Sequence, residues 1–495
     1  MAITTYKDII SNKFNLAPSQ LMTLSVPNKN KLFVRDLLSR KLESSDNGNE
    51  VGSVNYISKS PKYFIRAKAL QSESFLPFIT DQTAIPIRPQ VFTDFDLKEG
   101  DILISKDSNI GEVVILDKDL PNYTISGALY KLPIQENKYY LFAFLKHKYF
   151  LKQLDLLVPK GSTIRHAKTL FLDCKIPFPN QKNKDDVVTY VGLLTQTIIN
   201  KEKEIRKKHK QILEKIEQEL LNNQKNVEFK YQLPNIEKLK RFNRINAGFF
   251  SEYFLKNEFI IKNYSFGFNN IKDLGFDVSR GQNLQVSCIG KSIYLNDYRE
   301  GFYTVIKPKH LSIFGTSFSH EYLGNPKKLK TLKAGDIIFG AEGFEKGRSM
   351  VILKDRDKII TNIHGITINH KKGDLSLSIF IKCFFDYLRK VKLIDLYAVG
   401  GNGGSLAMKY WDIIPFPNFP KNEQDQIIGL YHNLTDYPKS LNLKNFLKED
   451  QRWNERAGII EIDKSTKKIK KHLNDVLDKI VNNEIVKLSF DFSYF

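Results

Sequence analysis

The sequence predicts an α+β fold in which one mixed α/β unit occurs twice and a helical segment follows each copy. The phrase Ile-Pro-Phe-Pro-Asn fills residues 176–180 and again residues 414–418, 238 residues later. Further matches occur in the same order at nearly the same spacing: Gly100–Ile102 with Gly335–Ile337, Val114–Leu116 with Val351–Leu353, and Gly127 with Gly365. A collinear series of this kind is what a duplicated unit leaves, and it determines the architecture before any other feature.

Both copies predict the same run of local elements. Residues 97–116 read as a Gly-Asp turn, a strand, a polar loop with a glycine and a returning strand, and residues 332–353 repeat this order. Apolar residues at three-to-four spacing then predict a helix over 138–157 in the first copy and over 375–393 in the second. We expect each helix to pack against the sheet that its hairpin begins.

The clearest long helix runs from Asp185 to about Leu221, a stretch without proline. At about 1.5 Å per residue it spans roughly 55 Å. Its apolar residues follow a seven-residue spacing, which is typical of a helix with a partner helix. The residues of this stripe are Val191, Leu194, Ile198, Ile205 and Ile212. Lys201, Lys208 and Lys215 take the companion position afterwards, and we expect their stems to lie along the partner with the charged ends in water.

The second helical segment is interrupted where the first is continuous. A helix beginning at Asn422 ends near Asn433, and Tyr437-Pro438 with a polar stretch breaks the pattern. Helical periodicity resumes over about 462–480. The stripe predicted there consists of Ile469, Leu473, Val476 and Ile480.

Composition restricts the partners and the compartment. The 495 residues include 76 Lys and Arg against 55 Asp and Glu, a formal net charge of +21, which favours nucleic acid or an acidic membrane surface as partner. No apolar run approaches the roughly 18 residues that cross a bilayer, and the N-terminus lacks a signal pattern. Cys174, Cys288 and Cys383 are odd in number and widely spaced, as in a reducing compartment. We therefore expect a cytoplasmic, nucleic-acid-binding protein with no membrane partner.

The sequence contains no recognisable catalytic or metal-binding motif. Glu342 and Glu345 could suggest a nuclease, but residues 106–108, at the corresponding place in the first copy, hold no such acid cluster. The run Gly400–Gly404 lacks the trailing glycine of a dinucleotide fingerprint and the Gly-Lys-Ser/Thr of a P-loop, so it predicts a tight turn. We therefore assign no catalytic and no metal-ligating residue.

Basic and hydroxyl residues on loops are the better candidates for function. Arg and Lys contact phosphates, and Arg can also pair bidentately with guanine. The candidate DNA-binding residues of the first copy are Lys106, Lys160, Ser162, Thr163, Arg165 and His166. Those of the second copy are Arg280, Lys346, Arg348 and Lys409.

Together these motifs resemble those of the specificity subunit of type I restriction–modification systems. The resemblance covers essentially the whole chain, and it rests on the order and duplication of the hairpin, the Gly loop and the Pro phrase. It implies two target recognition domains joined by two long helices that pack as an antiparallel coiled coil. The implied boundaries are 1–181 and 224–420 for the recognition domains, 182–223 and 421–482 for the helical segments, and 483–495 for a C-terminal tail.

The resemblance also implies a function. Each recognition domain would read one half of a bipartite, asymmetric target in double-stranded DNA, and the coiled coil would set the spacing and dock methyltransferase subunits. The chain would be non-catalytic and would bind no cofactor itself, with S-adenosylmethionine, ATP and Mg expected on modification and restriction/translocase subunits. Three alternatives stay open: the recognition subunit of a related type II system, a fused methyltransferase or nuclease with an unrecognised active site, and a stand-alone DNA-binding protein.

Overall fold

The structure is a computed structural model that describes residues 24, 26–159, 166–343, 346–355, 358–400 and 404–492. Its contacts divide the chain into two compact units. The first unit comprises residues 1–204 with 436–455 and 464–495, and the second comprises 205–435 with 456–463. The segment boundaries given above from the resemblance stay predictions.

The strands of the first unit are short. They are β1 (Lys31–Phe33), β2 (Tyr63–Ile65), β3 (Ala84–Pro86), β4 (Ile102–Ser105), β5 (Val113–Ile115), β6 (Tyr123–Ile125), β7 (Leu129–Leu132) and β8 (Lys175–Pro177). Within the described residues they pair in the orders β1-β8, β3-β2-β6 and β5-β4-β7. β4 is antiparallel to both neighbours, with Leu103 opposite Val114 and Lys131. β2 and β6 instead run parallel.

The second unit repeats these pairings. Its strands are β9 (Phe268–Asn269), β10 (Phe276–Arg280), β11 (Ile293–Leu295), β12 (Tyr303–Val305), β13 (Glu321–Gly324), β14 (Ile337–Gly340), β15 (Ser349–Val351), β16 (Ile359–Ile360), β17 (Gly365–His370) and β18 (Phe416–Pro417). β14 lies between antiparallel β15 and β17, as β4 lies between β5 and β7. β12 pairs in parallel with β16, as β2 does with β6. The predicted duplication is therefore confirmed at the level of topology, with β10 and β11 added at sheet edges.

In both units a helix follows the sheet that contains the hairpin, and in the second unit helices also precede and interrupt the strands. The helices are α1 (Lys138–Lys146), α2 (Lys148–Leu157), α3 (Lys184–Asn222), α4 (Ile236–Phe242), α5 (Glu252–Lys262), α6 (Val286–Ile289), α7 (Leu375–Lys390), α8 (Leu393–Tyr397), α9 (Lys421–Tyr431), α10 (Phe446–Arg456) and α11 (Ile459–Val481). The long helix predicted from Asp185 to Leu221 is confirmed as α3. The single helix predicted over 138–157 is two helices, because His147 takes an extended conformation and caps α2 through its ring.

The cores of the two units use equivalent residues. Leu103 and Leu97 are buried in the first core, and Ile338 and Leu332 take the same places in the second. Strand register also corrects one match made from the sequence: Ser105 faces Leu129, whereas Gly340 faces Gly365. Gly365 is therefore equivalent to Leu129, and its match with Gly127 is wrong by two residues.

In the first unit the start of α3 packs on the C-terminal helices in the antiparallel sense. The Tyr190 hydroxyl lies 2.7 Å from His472 Nε2, while Lys201, farther along α3, contacts Asn454, earlier in the chain. All nine residues of the two predicted stripes are buried, and the most exposed of them, Ile205, is 6% exposed.

Lys201 does not extend its charged end into water as the sequence predicted. Its side chain is fully buried, with Nζ 2.7 Å from Asp450 Oδ1 and 2.8 Å from Asn454 Oδ1. Nζ also lies 4.4 Å from the centroid of the Trp453 ring, and the Tyr437 hydroxyl donates to Asp450 at 2.6 Å. Burial lowers the pKa of Lys201, and Asp450 opposes this change. The polar network replaces an apolar layer and fixes which residues of the helices face each other.

One glycine in each unit permits two chain segments to cross at close range. A Cβ at Gly48 would lie 2.1 Å from the carbonyl oxygen of Ser126, and one at Gly281 would lie 2.2 Å from that of Asn362. The next residues, Asn49 and Gln282, form parallel bridges with the same crossing segments. The two glycines are therefore equivalent, and each is required because a neighbouring backbone cannot move aside.

Replacement of Gly48 by alanine should destabilise the first unit by at least about 1–3 kcal/mol, because the added Cβ overlaps backbone. Gly52 in the same loop is a matched control, since its φ is −62° and a Cβ there would meet nothing within 4 Å. Gly52→Ala should be neutral or stabilising by about 0.4–1 kcal/mol. Urea unfolding of the full chain measures both; equal stabilities would contradict the close crossing.

Replacement of Lys201 by methionine should cost about 3–5 kcal/mol, because Asp450 would be left buried without its cation. Lys203, two residues along the same helix, is the control: it pairs with Glu99 at the surface, where the side chains are 31% and 59% exposed. Lys203→Met should change stability by less than about 1 kcal/mol. Thermal unfolding distinguishes the two, and a similar small effect at both positions would contradict the buried network.

Candidate nucleic-acid interface

In the first unit, two segments far apart in sequence meet at the end of β4. Asp107 and His166 form an isolated antiparallel bridge, and the Ala167 amide donates to the Lys106 carbonyl at 2.8 Å. We define residues 105–112 and 166–167 as the first loop pair. Its position follows from the hairpin, because β4 ends at Ser105 and β5 begins at Val113.

The hairpin loop of this pair is held by its own hydrogen bonds. The Asn109 side chain donates to the carbonyls of Ala67 and Leu70 at 3.1 and 2.6 Å. The Ser105 hydroxyl donates to the Asp107 carbonyl at 2.7 Å. Gly111 closes the loop with φ of 85°, a conformation that favours glycine. The side chains of the loop are therefore presented from a fixed backbone.

The second unit contains the same arrangement at the end of β14. Glu342 and Ser405 form an isolated antiparallel bridge, and the Leu406 amide donates to the Ala341 carbonyl at 3.0 Å. Gly347 has φ of 82° and donates to the Gly340 carbonyl at 2.8 Å. We define residues 340–343 and 346–348 with 405–406 as the second loop pair. Asp107 and Glu342 are then equivalent, each two residues beyond the end of its strand.

The two loop pairs carry different side chains on similar backbones. In the first loop pair, His166 Nδ1 lies 2.6 Å from Asp107 Oδ1, and Lys106 Nζ lies 5.0 Å from the centre of the Tyr130 ring. Burial, together with the nearby Asp107 carboxylate, raises the pKa of Tyr130. The result is a cation, an acid and a hydroxyl-bearing ring within one small surface.

In the second loop pair, the carboxylate of Glu342 has two cationic or polar partners. Its Oε1 accepts from Arg280 Nη1 at 2.9 Å, and its Oε2 lies 2.9 Å from His364 Nδ1. Partial burial raises the pKa of the Glu342 carboxyl, but the bonds to His364 and Arg280 outweigh burial and lower it. Arg280 is the last residue of β10, the added edge strand, and it also donates to the Ile363 carbonyl at 3.1 Å.

Comparison with known proteins bears on what these loop pairs do. The family described as "Type I restriction modification DNA specificity domain" matches residues 50–227, which include the first hairpin loop, His166 and all of α3. Residues 50–227 are a type I restriction–modification DNA specificity domain. The resemblance drawn from the motifs is thereby confirmed, and the first loop pair lies within this specificity domain.

Solved structures give a weaker likeness. The S subunit of a type I restriction–modification system from M. genitalium shares 12% identity with a TM-score of 0.39, covering 96% of this chain and 100% of its own. The HsdS subunit from Thermoanaerobacter tengcongensis shares 11% identity with a TM-score of 0.26, covering 92% and 97%. Both TM-scores are too low to establish a common overall arrangement. No curated protein matches the chain.

The structure places the predicted DNA-binding residues differently. Lys106 and His166 of the specificity domain meet in the first loop pair, and Arg280 lies beside the second. Lys346 is buried, and its Nζ lies 3.4 Å from Asp395 Oδ1, so its side chain contacts α8. Arg348 donates to the Leu311 carbonyl at 3.1 Å from a partly buried position.

The remaining predicted residues lie away from these contacts or outside the described part. Lys409 is exposed on a short 3-10 helix, Met408–Ile413, with Nζ 5.0 Å from the Tyr410 ring centre. The predicted residues that fall outside the described chain are Lys160, Ser162, Thr163 and Arg165. Of the run Gly400–Gly404, the described ends lie beside Val399 and Ser405, which exchange two backbone hydrogen bonds of 3.0 and 2.9 Å. The DNA-binding role of all ten residues stays a prediction.

Sequence reasoning missed the acids and one histidine. Asp107, Glu342 and His364 were not proposed as site residues, because the two loops were compared as acid clusters rather than position by position. Counting from the strand ends would have aligned Ile-Leu-Ile-Ser-Lys-Asp with Ile-Ile-Phe-Gly-Ala-Glu and shown one acid in each copy. His364 gives no such signal, since its equivalent in the first unit is Ala128.

Two negative findings concern only the described part of the chain. Its residues include no group of three His, Cys, Asp or Glu side chains arranged to hold a metal ion. None of its helices combines the length and apolar character needed to cross a membrane.

Proposed function

We propose that this chain is the DNA specificity subunit of a type I restriction–modification complex, and that each unit binds one half of a bipartite, asymmetric target through its loop pair. One observation carries the proposal: the same loop pair is built twice on the same strand pairings, with different side chains. The first loop pair contains Lys106, Asp107 and His166. The second contains Glu342, with Arg280 and His364 beside it. Two sites that share a backbone arrangement but differ in their side chains are suited to reading two different half-sites.

The charge of the chain supports DNA as the ligand. A formal net charge of +21 attracts any duplex through its phosphates, and this attraction does not depend on sequence. Base-edge contacts from the loop pairs would then discriminate among sequences. We place the chain in the cytoplasm, with the DNA that it would bind.

The helices would set the spacing between half-sites and dock methyltransferase subunits. The buried network of Lys201 with Asp450 supports a rigid spacer, because a slipped register would leave both charges buried and unpaired. The chain itself would carry out no chemistry. S-adenosylmethionine would bind to modification subunits, and ATP and Mg to a restriction/translocase subunit if the complex contains one.

Binding of the full chain to duplex DNA should weaken steeply with salt, because each phosphate contact releases counterions. Lys106→Met should reduce the slope of log affinity against log salt by about 1 if its ammonium contacts a phosphate. Lys118 is an exposed control that lies just beyond β5, at the end of the hairpin away from the loop. Fluorescence anisotropy across a salt series measures the slopes, and equal slopes for both variants would exclude this contact.

Substitution in or directly beside one loop pair should alter one half-site only. The full chain selects duplexes from a random pool, and the enriched sequences report both half-sites. Arg280→Ala should remove about 1–3 kcal/mol of discrimination at one base pair of one half, while His166→Ala should affect the other half. Arg35, an exposed arginine that pairs with Asp173, is the control, and its alanine variant should change neither. Altered preferences in both halves from a single substitution would contradict independent reading.

A further inference from the structure

We propose that the equivalent acids Asp107 and Glu342 read base amino groups in the major groove, one in each half-site. This inference rests on the proposed function and specifies the chemistry of its two sites. Glu342 would accept a hydrogen bond from the N4 amino group of a cytosine while Arg280 donates to the guanine of the same base pair. Asp107 would accept from an amino group of cytosine or adenine.

The first support is position. Both acids lie two residues beyond the end of the middle strand of their sheet, and both bridge to the segment that leads into the repeated Pro phrase. The residues on either side differ between the units: Lys106 and Ser108 flank the first acid, whereas Ala341 and Gly343 flank the second. An acid is therefore the side-chain chemistry that the two loop tips share.

The second support is electrostatic. A carboxylate that approaches a duplex is repelled by phosphates, so in a chain with a net charge of +21 it weakens general binding. A carboxylate accepts hydrogen bonds and cannot donate them. In the major groove the donors are the N4 amino group of cytosine and the N6 amino group of adenine. An ionised acid in this interface therefore gains a favourable contact with the DNA bases only where one of these amino groups meets it.

The third support is unused hydrogen-bonding capacity. A carboxylate has about four lone-pair sites. Glu342 is 32% exposed, with Oε1 facing Arg280 and Oε2 facing His364. Asp107 is 21% exposed, with Oδ1 facing His166. The partners hold each carboxylate in one orientation while leaving sites for a base, so little side-chain entropy is lost on binding.

Arg280 makes the second site the more specific of the two. Its side chain is 41% exposed and uses Nη1 for both Glu342 and the Ile363 carbonyl. The remaining guanidinium donors can face guanine O6 and N7, the acceptors that arginine reads bidentately. Because Glu342 lies beside Arg280, an acceptor and a donor fork are presented together. That combination matches a G·C pair, in which the cytosine amino group and the guanine acceptors are adjacent.

The test uses the isosteric variants Glu342→Gln and Asp107→Asn in the full chain. Each amide keeps an acceptor oxygen for its neighbour, Arg280 or His166, and its NH₂ group would clash with a base amino group. Selection from a random duplex pool should show lost preference for an amino-bearing base at one position of one half-site. The ratio of affinity for the selected duplex to affinity for a random duplex should fall by at least about fivefold. Affinity for random duplex should hold or rise, because a negative charge is removed.

Matched controls are the surface acids Asp173 and Asp412, which pair with Arg35 and Lys272 in the first and second units. Asp173→Asn and Asp412→Asn should leave the selected sequences and the ratio unchanged. Thermal unfolding of every variant reports whether an acid only braces its loop. A lowered melting temperature with unchanged base preference would overturn the proposal, and so would unchanged preference without any loss of stability.

Failure of the inference is distinguishable from failure of the proposed function. If the wild-type chain enriches a bipartite sequence and the acid variants enrich the same one, the reading role of the acids is excluded while the proposed function stands. If the wild-type chain, alone and with modification subunits, enriches no sequence, both are excluded. The variant pair also separates the sites, because Glu342→Gln should affect one half-site and Asp107→Asn the other.

Discussion

The antiparallel pairing between the Pro phrase and the strand that opens each unit is the contact on which the loop pairs depend. Leu32 faces Ile176 in the first unit, and Asn269 faces Phe416 in the second. Proline cannot donate to a ladder, so a phrase with two prolines can pair only at an edge, which is how both copies are used. The pairing fixes the end of the segment that begins at His166 or Ser405. That segment can then lie beside a loop that is 59 residues away in sequence in the first unit.

The repeated motifs were sufficient to predict the frame of each unit. The Gly-Asp turn, the hairpin and the helix after it come from local patterns, and the structure contains them at the predicted places. Periodicity could not predict the break at His147, because the residues on both sides keep helical spacing and the ring cap is a detail of one side chain. It also could not reveal Gly48 and Gly281, whose requirement arises from a crossing backbone rather than from a turn. The sequence predicts some of the basic residues at the loop pairs and none of the acidic ones, because net charge and loop composition do not locate an individual acid.

Two lysines illustrate why burial of charge is not readable from a helix pattern. Lys201 and Lys203 look alike in sequence, yet the first is fully buried because Asp450 and Asn454, about 250 residues away, meet it. Lys382 and Asp386 have the i, i+4 spacing of an ordinary surface pair, but both are buried, with His209 beside Asp386 and the Tyr431 ring 4.3 Å from the ammonium. Burial by itself raises the pKa of Asp386, but Lys382 and His209 outweigh it and bring the pKa to about 2. Each unit thus contains a buried lysine–aspartate pair: the first joins two helices, and the second lies within α7 with His209 of α3 beside it.

A strongly basic chain is attracted to any DNA duplex, but this attraction does not distinguish one sequence from another. Phosphate contacts are the same on every duplex, so added lysines strengthen correct and incorrect binding alike. Discrimination needs groups whose interaction changes sign with the base, and an acid has this property because it is attracted to an amino group and repelled by a carbonyl or a phosphate.

The fold of each unit separates such a residue from the core. Asp107 and Glu342 lie beyond strands whose buried residues, Leu103 and Ile338, are equivalent, so the loop residue can change while the core stays the same. The exchange of aspartate for glutamate moves the acceptor by about one carbon–carbon bond, roughly 1.5 Å, which would be enough, under the proposed reading role, to change the base-edge atom that the acid meets. Duplication of one unit, followed by substitution at its loop tips, is therefore sufficient in physical terms to produce a chain that would recognise two different half-sites.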